Sequence, residues 1–219
     1  MPMPSPYAHG PASTASVIPL GDEAVNQSVK GAAGCSFFGL LFIGGGLLAV
    51  LGVNGAPNNG GYGGIAVGAL AIFFAVMMLR RGWKSRKAFL AVDHVGLWIS
   101  NPVGRKVIPF DSLAGVGLHW SKAGKGTSKK LYSLELCPNG PIDRDHPVLW
   151  NLVRDEEPLH PDLPRLRYRI PVGKKNMPPL VAAVQQHAQP LWLGEVEREP
   201  NHIGFPDVKG HRDRTAGSR

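Results

Sequence analysis

Asp143, Asp145, His146, His160 and Asp162 are the side chains best suited to hold a divalent cation, because carboxylate oxygens and imidazole nitrogens are ordinary ligands for zinc and its neighbours. They fall in a proline-rich stretch with no tight ligand pair on one helix or hairpin, so the expectation is a solvated polar loop with no metal bound. Gly124-Lys125-Gly126-Thr127-Ser128 has the residue types of a phosphate-binding loop, but it lacks the preceding glycine at the right distance and a helix to follow. No G-x-G-x-x-G opens a helix, and no G-x-S-x-G elbow occurs. His119 adjoins a strand and His187 an apolar helix stripe, and both read as packed or surface residues. Two cysteines, Cys35 and Cys137, are too few for a disulfide framework and read as small buried hydrophobes. No catalytic residue and no cofactor is assigned.

Basic residues supply the remaining chemistry. The chain has 219 residues and a formal net charge of +8. Lys122, Lys125, Lys129 and Lys130 stand in a glycine-rich loop, and Arg165, Arg167 and Arg169 form a comb on one strand face. Either group is a candidate for contact with anionic lipid headgroups or a protein partner, each cation near a negative leaflet contributing about 1 kcal/mol. The competing expectation is a solvated face that keeps the domain soluble. Nucleic acid is not expected, since no aromatic residues interleave the comb as stacking partners.

The elements that position these residues begin with a charge gap. Between Lys30 and Arg80 there is no Asp, Glu, Lys or Arg. Residues 35–53 and 62–79 are two apolar runs, each roughly 27–29 Å long as a helix, about the hydrocarbon thickness of a bilayer. Neither has the polar face of a soluble helix. The short connector, 54–61, forces them antiparallel. Arg80, Arg81, Lys84, Arg86 and Lys87 follow the second run, with Trp83 as an interfacial anchor, so both termini are expected on the cytoplasmic side. Gly45, Ala49, Gly52 and Ala56, and then Gly64, Gly68, Ala71 and Ala75, are small residues at helical spacing, suited to packing the two helices together or to homo-oligomerisation. With no ionisable group inside either run, the hairpin reads as an anchor.

Residues 1–34 are expected to be a disordered cytoplasmic arm, 35–80 the hairpin, 81–194 a cytoplasmic domain and 195–219 a disordered tail. Within the domain, short alternating segments at 88–92, 97–100, 105–109, 113–120, 132–136 and 165–170 predict antiparallel strands. Asn176, Pro178 and Pro179 open an amphipathic helix with Leu180, Val181, Val184, Ala188 and Leu191 as its apolar stripe, closed by Gly194. The fold class is α+β: a bent antiparallel sheet or small barrel capped by one C-terminal helix.

Segment 88–120 is similar to the opening of bacterial pleckstrin-homology (PH)-like domains, through the turn Asp93…Gly96 and the corner Ile108-Pro109-Phe110-Asp111-Ser112-Leu113. Many such bacterial proteins carry the domain after two transmembrane helices, and the resemblance covers about residues 80 to 194. It implies a binding or scaffolding module without a catalytic site, contacting protein partners or anionic lipids at the cytoplasmic face of the cell membrane. The alternatives are a small subunit of a larger membrane assembly, with the hairpin as functional surface, and an enzyme using the 143–162 loop.

Overall fold

The computed structural model describes residues 10–53, 55, 59–124, 128–158, 160–200, 202 and 206–216, the side chains of Glu23 and Ala24 excepted. It divides into two units, Gly21–Lys87 and the remainder, in which residues up to Leu20 join those from Ala88 onward.

The first unit is a pair of helices, α1 (Gly21–Val50) and α2 (Gly60–Ser85). Both are long and apolar enough to cross a membrane, and little of either apolar stretch is buried. Apart from Gly21 at the start of α1, what is buried recurs every seventh residue: Ala32, Gly39 and Gly46 on α1, and Gly61, Gly68, Ala75 and Gly82 on α2. A seven-residue repeat keeps one seam facing a partner helix along its whole length. Here the seam is nearly bare backbone. A Cβ added at Gly46 would stand 2.5 Å from the Gly61 carbonyl oxygen, and one at Gly68 2.5 Å from that of Gly39. The other faces carry exposed apolar residues such as Phe37, Phe38, Leu70 and Phe73.

This seam differs from the stripes read off the sequence. Gly68 and Ala75 belong to it, Ala71 touches the Gly39 position, and a Cβ at Gly64 would lie 3.2 Å from the Phe42 carbonyl oxygen. Gly45 faces open space, Ala49 is only half-buried, and Gly52 lies beyond α1 in a turn at φ +67°. Ala56 lies outside the described residues. The helices also run past the expected limits, with α1 starting at Gly21 inside the supposed arm.

The second unit holds nine strands and two further helices among the described residues. Strands β1 (Ser16–Pro19), β2 (Phe89–Val92), β3 (Gly96–Asn101) and β4 (Gly104–Pro109) form one antiparallel sheet in that order. The arm therefore contributes a strand, pairing Ser16 with Val92 and Pro19 with Phe89, and the helical pair is inserted between two adjacent strands of one sheet. The Asp93 carboxylate accepts from the backbone N–H of Val95 (2.9 Å), Gly96 (3.2 Å) and Ala12 (3.0 Å), and from the Trp98 indole (2.9 Å). Burial opposes its charge, but these four donors hold its carboxyl below the usual range.

The corner at Phe110–Ser112 is a single 3₁₀ turn that turns the chain into the second sheet, ordered β7-β8-β6-β5-β9. Its strands are β5 (Leu113–Lys122), β6 (Lys130–Pro138), β7 (Val153–Asp155), β8 (Leu166–Val172) and β9 (Trp192–Glu197). β9 runs parallel to β5, with a bulge where the pairing jumps from Trp192 to Glu195 and Gly194 takes φ +91°. Helix α3 (Met177–Ala188) buries Leu180, Ala183, Val184 and Ala188 in a core that draws Leu90, Leu97 and Ile108 from one sheet and Val116, Leu134 and Ile170 from the other. Asn176 precedes α3 as expected but makes no cap with its side chain, which donates instead to the Pro19 carbonyl (2.8 Å) and ties down β1. The expected tail is partly regular too, through β9 and α4 (Val208–Thr215).

Candidate functional site

Alternation along β6 and β8 sends Leu134, Leu136, Tyr168 and Ile170 to the shared core, and Ser133, Glu135, Arg167 and Arg169 to the opposite face of the second sheet. That face is covered as well. Glu135 is 1% exposed, Arg167 2% and Arg169 0%, and His119 on β5 is buried beside them.

Glu135 sits at the centre of an ionic layer. Its Oε1 lies 2.6 Å from Arg169 Nε and 3.1 Å from His119 Nδ1, and its Oε2 lies 2.5 Å from Arg167 Nε. The loop after β7 supplies Glu156, whose Oε2 is 2.8 Å from Arg169 and 3.1 Å from Arg167. The segment after β9 supplies His202, whose carbonyl accepts from Arg169 at 2.8 Å and whose Nε2 lies 2.7 Å from the same guanidinium. Burial would raise the Glu135 pKa, but the His119 hydrogen bond and the His119 and Arg169 charges hold it far below the carboxylate range. His202 is pushed down to about 4, first by burial and then by the Arg169 and Arg198 charges.

His119, Glu135 and His202 bring three ligand-type atoms within 4.8 Å of one another. The donor set does not suit a cation, because both Glu135 oxygens are already held by guanidiniums whose charge repels a metal. His119 Nδ1 lies 3.1 Å from the Glu135 carboxylate, which fixes where the imidazole sits in the layer. The space beside it, bounded by Gly117, Cys137, Pro158, Leu163 and Leu193 among others, is about 10 Å³, room for no more than one water. Burial pushes the Cys137 thiol up to about 11, so it stays protonated at neutral pH.

The expected sites fare differently. Arg167 and Arg169 are corrected: they are spent on Glu135 and Glu156 inside the domain and present no comb to a headgroup. Arg165 is exposed and pairs with Asp155 and Glu157. Lys122 is exposed at the end of β5, and Lys130 Nζ lies 3.5 Å from the Trp120 ring centroid. Lys129 is exposed in the same loop, and Lys125 lies outside the described residues. In the 143–162 loop, Asp145 is bound by His211 (2.7 Å) and Arg214 (2.9 Å), while His146 Nδ1 accepts from the Val148 N–H. His211 also stacks on Trp150 with ring centroids 4.0 Å apart. Arg80, Arg81, Trp83 and Lys84 occupy the last turns of α2, and Arg86 and Lys87 follow it directly.

Glu135, Glu156, His119 and His202 were not foreseen as partners of the arginines. The available signal was Glu135, which the strand alternation already placed on one side of β6. No protein-family model matches the chain, and no curated protein or solved structure is significantly similar to it.

Proposed function

We propose that the chain is a membrane-anchored, non-catalytic PH-like binding module held at the cytoplasmic face, where it docks a protein partner. The observation that carries this reading is the β1–β2 pairing on either side of two apolar helices. If the helices cross the bilayer, paired flanking strands require both ends of the hairpin to return to the same side. The basic run after α2 supports the cytoplasm as that side. Two sheets and one amphipathic helix around a shared core support the PH-like assignment, as does the Phe110–Ser112 corner.

Protein is favoured over lipid as the domain's partner because the arginine comb is internal. An open groove of about 670 Å³ lies on the outer side of β3 and β4, over Trp98 and Val107, with Ser100, Asn101, Arg105 and Lys106 around it. A polar groove with the basic residues Arg105 and Lys106 on its rim suits an acidic peptide segment. Full-length protein carrying a photo-crosslinking residue at Ser100 tests this in cells. A protein adduct lost in the R105E/K106E variant supports the reading, whereas adducts to lipid alone would return the domain to headgroup contact.

The alternative, a subunit of a larger membrane assembly, draws on Gly44, Gly45 and Gly63, beside which there is open space for another helix. A photo-crosslinker at Gly45 that captures a membrane protein would favour it.

A further inference from the structure

With two arginines of the comb buried, the end of α2 offers an exposed cationic group. Met77, Arg80, Arg81 and Lys84 fall at helical spacing on one side of that helix and, with Trp83, line an open cradle of about 810 Å³. The cradle is graded along the axis: an exposed methionine on the apolar side, two arginines next, a lysine furthest out. Trp83 is 65% exposed, and the Arg86 guanidinium stacks 4.4 Å from its ring centroid, which presents that charge beside the cradle. Among the described residues no carboxylate lies within ion-pair distance of Arg80, Arg81 or Lys84. Arg81 also borders a cleft lined by Gln27, Ser28, Met78 and Ser85, so residues of both helices meet at its level.

We propose that this cradle is a binding site for an anionic phospholipid, with Arg80, Arg81 and Lys84 on the phosphate, Met77 against the start of an acyl chain and Trp83 at headgroup level among the cations. The graded order, Met77 and then Arg80, Arg81 and Lys84, matches the order of acyl chain and headgroup in a phospholipid, and a bare anion would use only the cationic part of it. The inference rests on the reading of the hairpin as membrane-spanning. It gives the headgroup contact expected of the arginine comb to the anchor, leaving the domain's surface for a protein.

The test is native mass spectrometry of the full-length chain released from nanodiscs of phosphatidylcholine with graded phosphatidylglycerol. Preferential retention of phosphatidylglycerol is expected, falling about fivefold per cation removed through R80Q, R81Q and K84Q. The R105Q/K106Q variant should retain lipid as the wild type does, and millimolar inorganic phosphate should not displace it. Equal retention of the two lipids, or retention indifferent to the three substitutions, overturns the proposal. So does displacement by phosphate, which would mark a site for free anions. Alkaline extraction of native membranes separates the two levels: a chain that washes off refutes the membrane reading itself, while one that stays but shows no lipid preference refutes only the cradle.

Discussion

Removing the Glu135 carboxylate would leave Arg167 and Arg169 buried with half their compensation gone, which is costlier than never having buried the pair. Glu135→Leu is expected to destabilise the domain by about 3–5 kcal/mol, measured by denaturant unfolding in detergent. Arg165→Ala, whose ion pairs are exposed, should leave the unfolding midpoint unchanged. Acid acts on the same layer. His202 titrates at about 4 when folded against 6.5 when free, so the unfolded chain takes up its proton first as the pH falls. Its contribution is therefore intact above about pH 6.5 and is lost progressively towards pH 4. Glu135 and Glu156, both held low, add losses in the same direction at lower pH. Unfolding midpoints between pH 6.5 and 4 should fall more steeply for wild type than for His202→Gln; parallel profiles would remove His202 from the account. Alternation made the arginine comb legible in the sequence. Its burial was not, because the cover comes from Glu156 and His202, distant in sequence and in segments with no periodic signal.

The hairpin was the most legible element, since a bilayer-length charge gap speaks through composition alone. Its internal seam was harder to read. Small residues are so frequent in both runs that several stripes at helical spacing coexist, and the seven-residue repeat is the one that brings backbone closest to backbone at Gly46, Gly61 and Gly68. Gly68→Leu and Gly46→Leu should force the helices apart, because the atoms in the way are main-chain carbonyls that cannot rotate aside. Gly45→Leu should be tolerated. Disulfide formation between cysteines placed at Ala32 and Ala75 would report the difference, and equal loss of cross-linking in all three variants would refute the seam. Strands with clean alternation matched their expected limits closely. β1, β7 and β9 escaped because the first two are short segments with no period and the third follows 3₁₀ and bulge geometry.

At the scale of the whole molecule, the sequential partition of arm, hairpin, domain and tail gives way to a sheet interrupted in sequence by a pair of apolar helices. A fragment beginning at residue 82 would lack β1 and bare the edge of β2, an invitation to intermolecular pairing. Replacing residues 21–87 by a short turn should instead give a soluble, monomeric domain, because Pro19 and Phe89 already stand opposite each other and the Leu20 N–H donates to the Ala88 carbonyl at 3.0 Å. Size-exclusion chromatography and amide exchange on both fragments would check this, and a folded monomer from residue 82 would contradict it. The same pairing imposes an order on biogenesis. β1 leaves the ribosome first and has no mate until both helices and β2 have followed, a wait of roughly 3–15 s at ordinary elongation rates. On the proposed membrane-spanning reading, insertion of one helix without the other would leave the two strands on opposite sides of the bilayer, and the first sheet could not close. Completion of the domain thus doubles as a check on insertion, and a misinserted chain would carry an unfinished sheet that quality-control proteases could recognise.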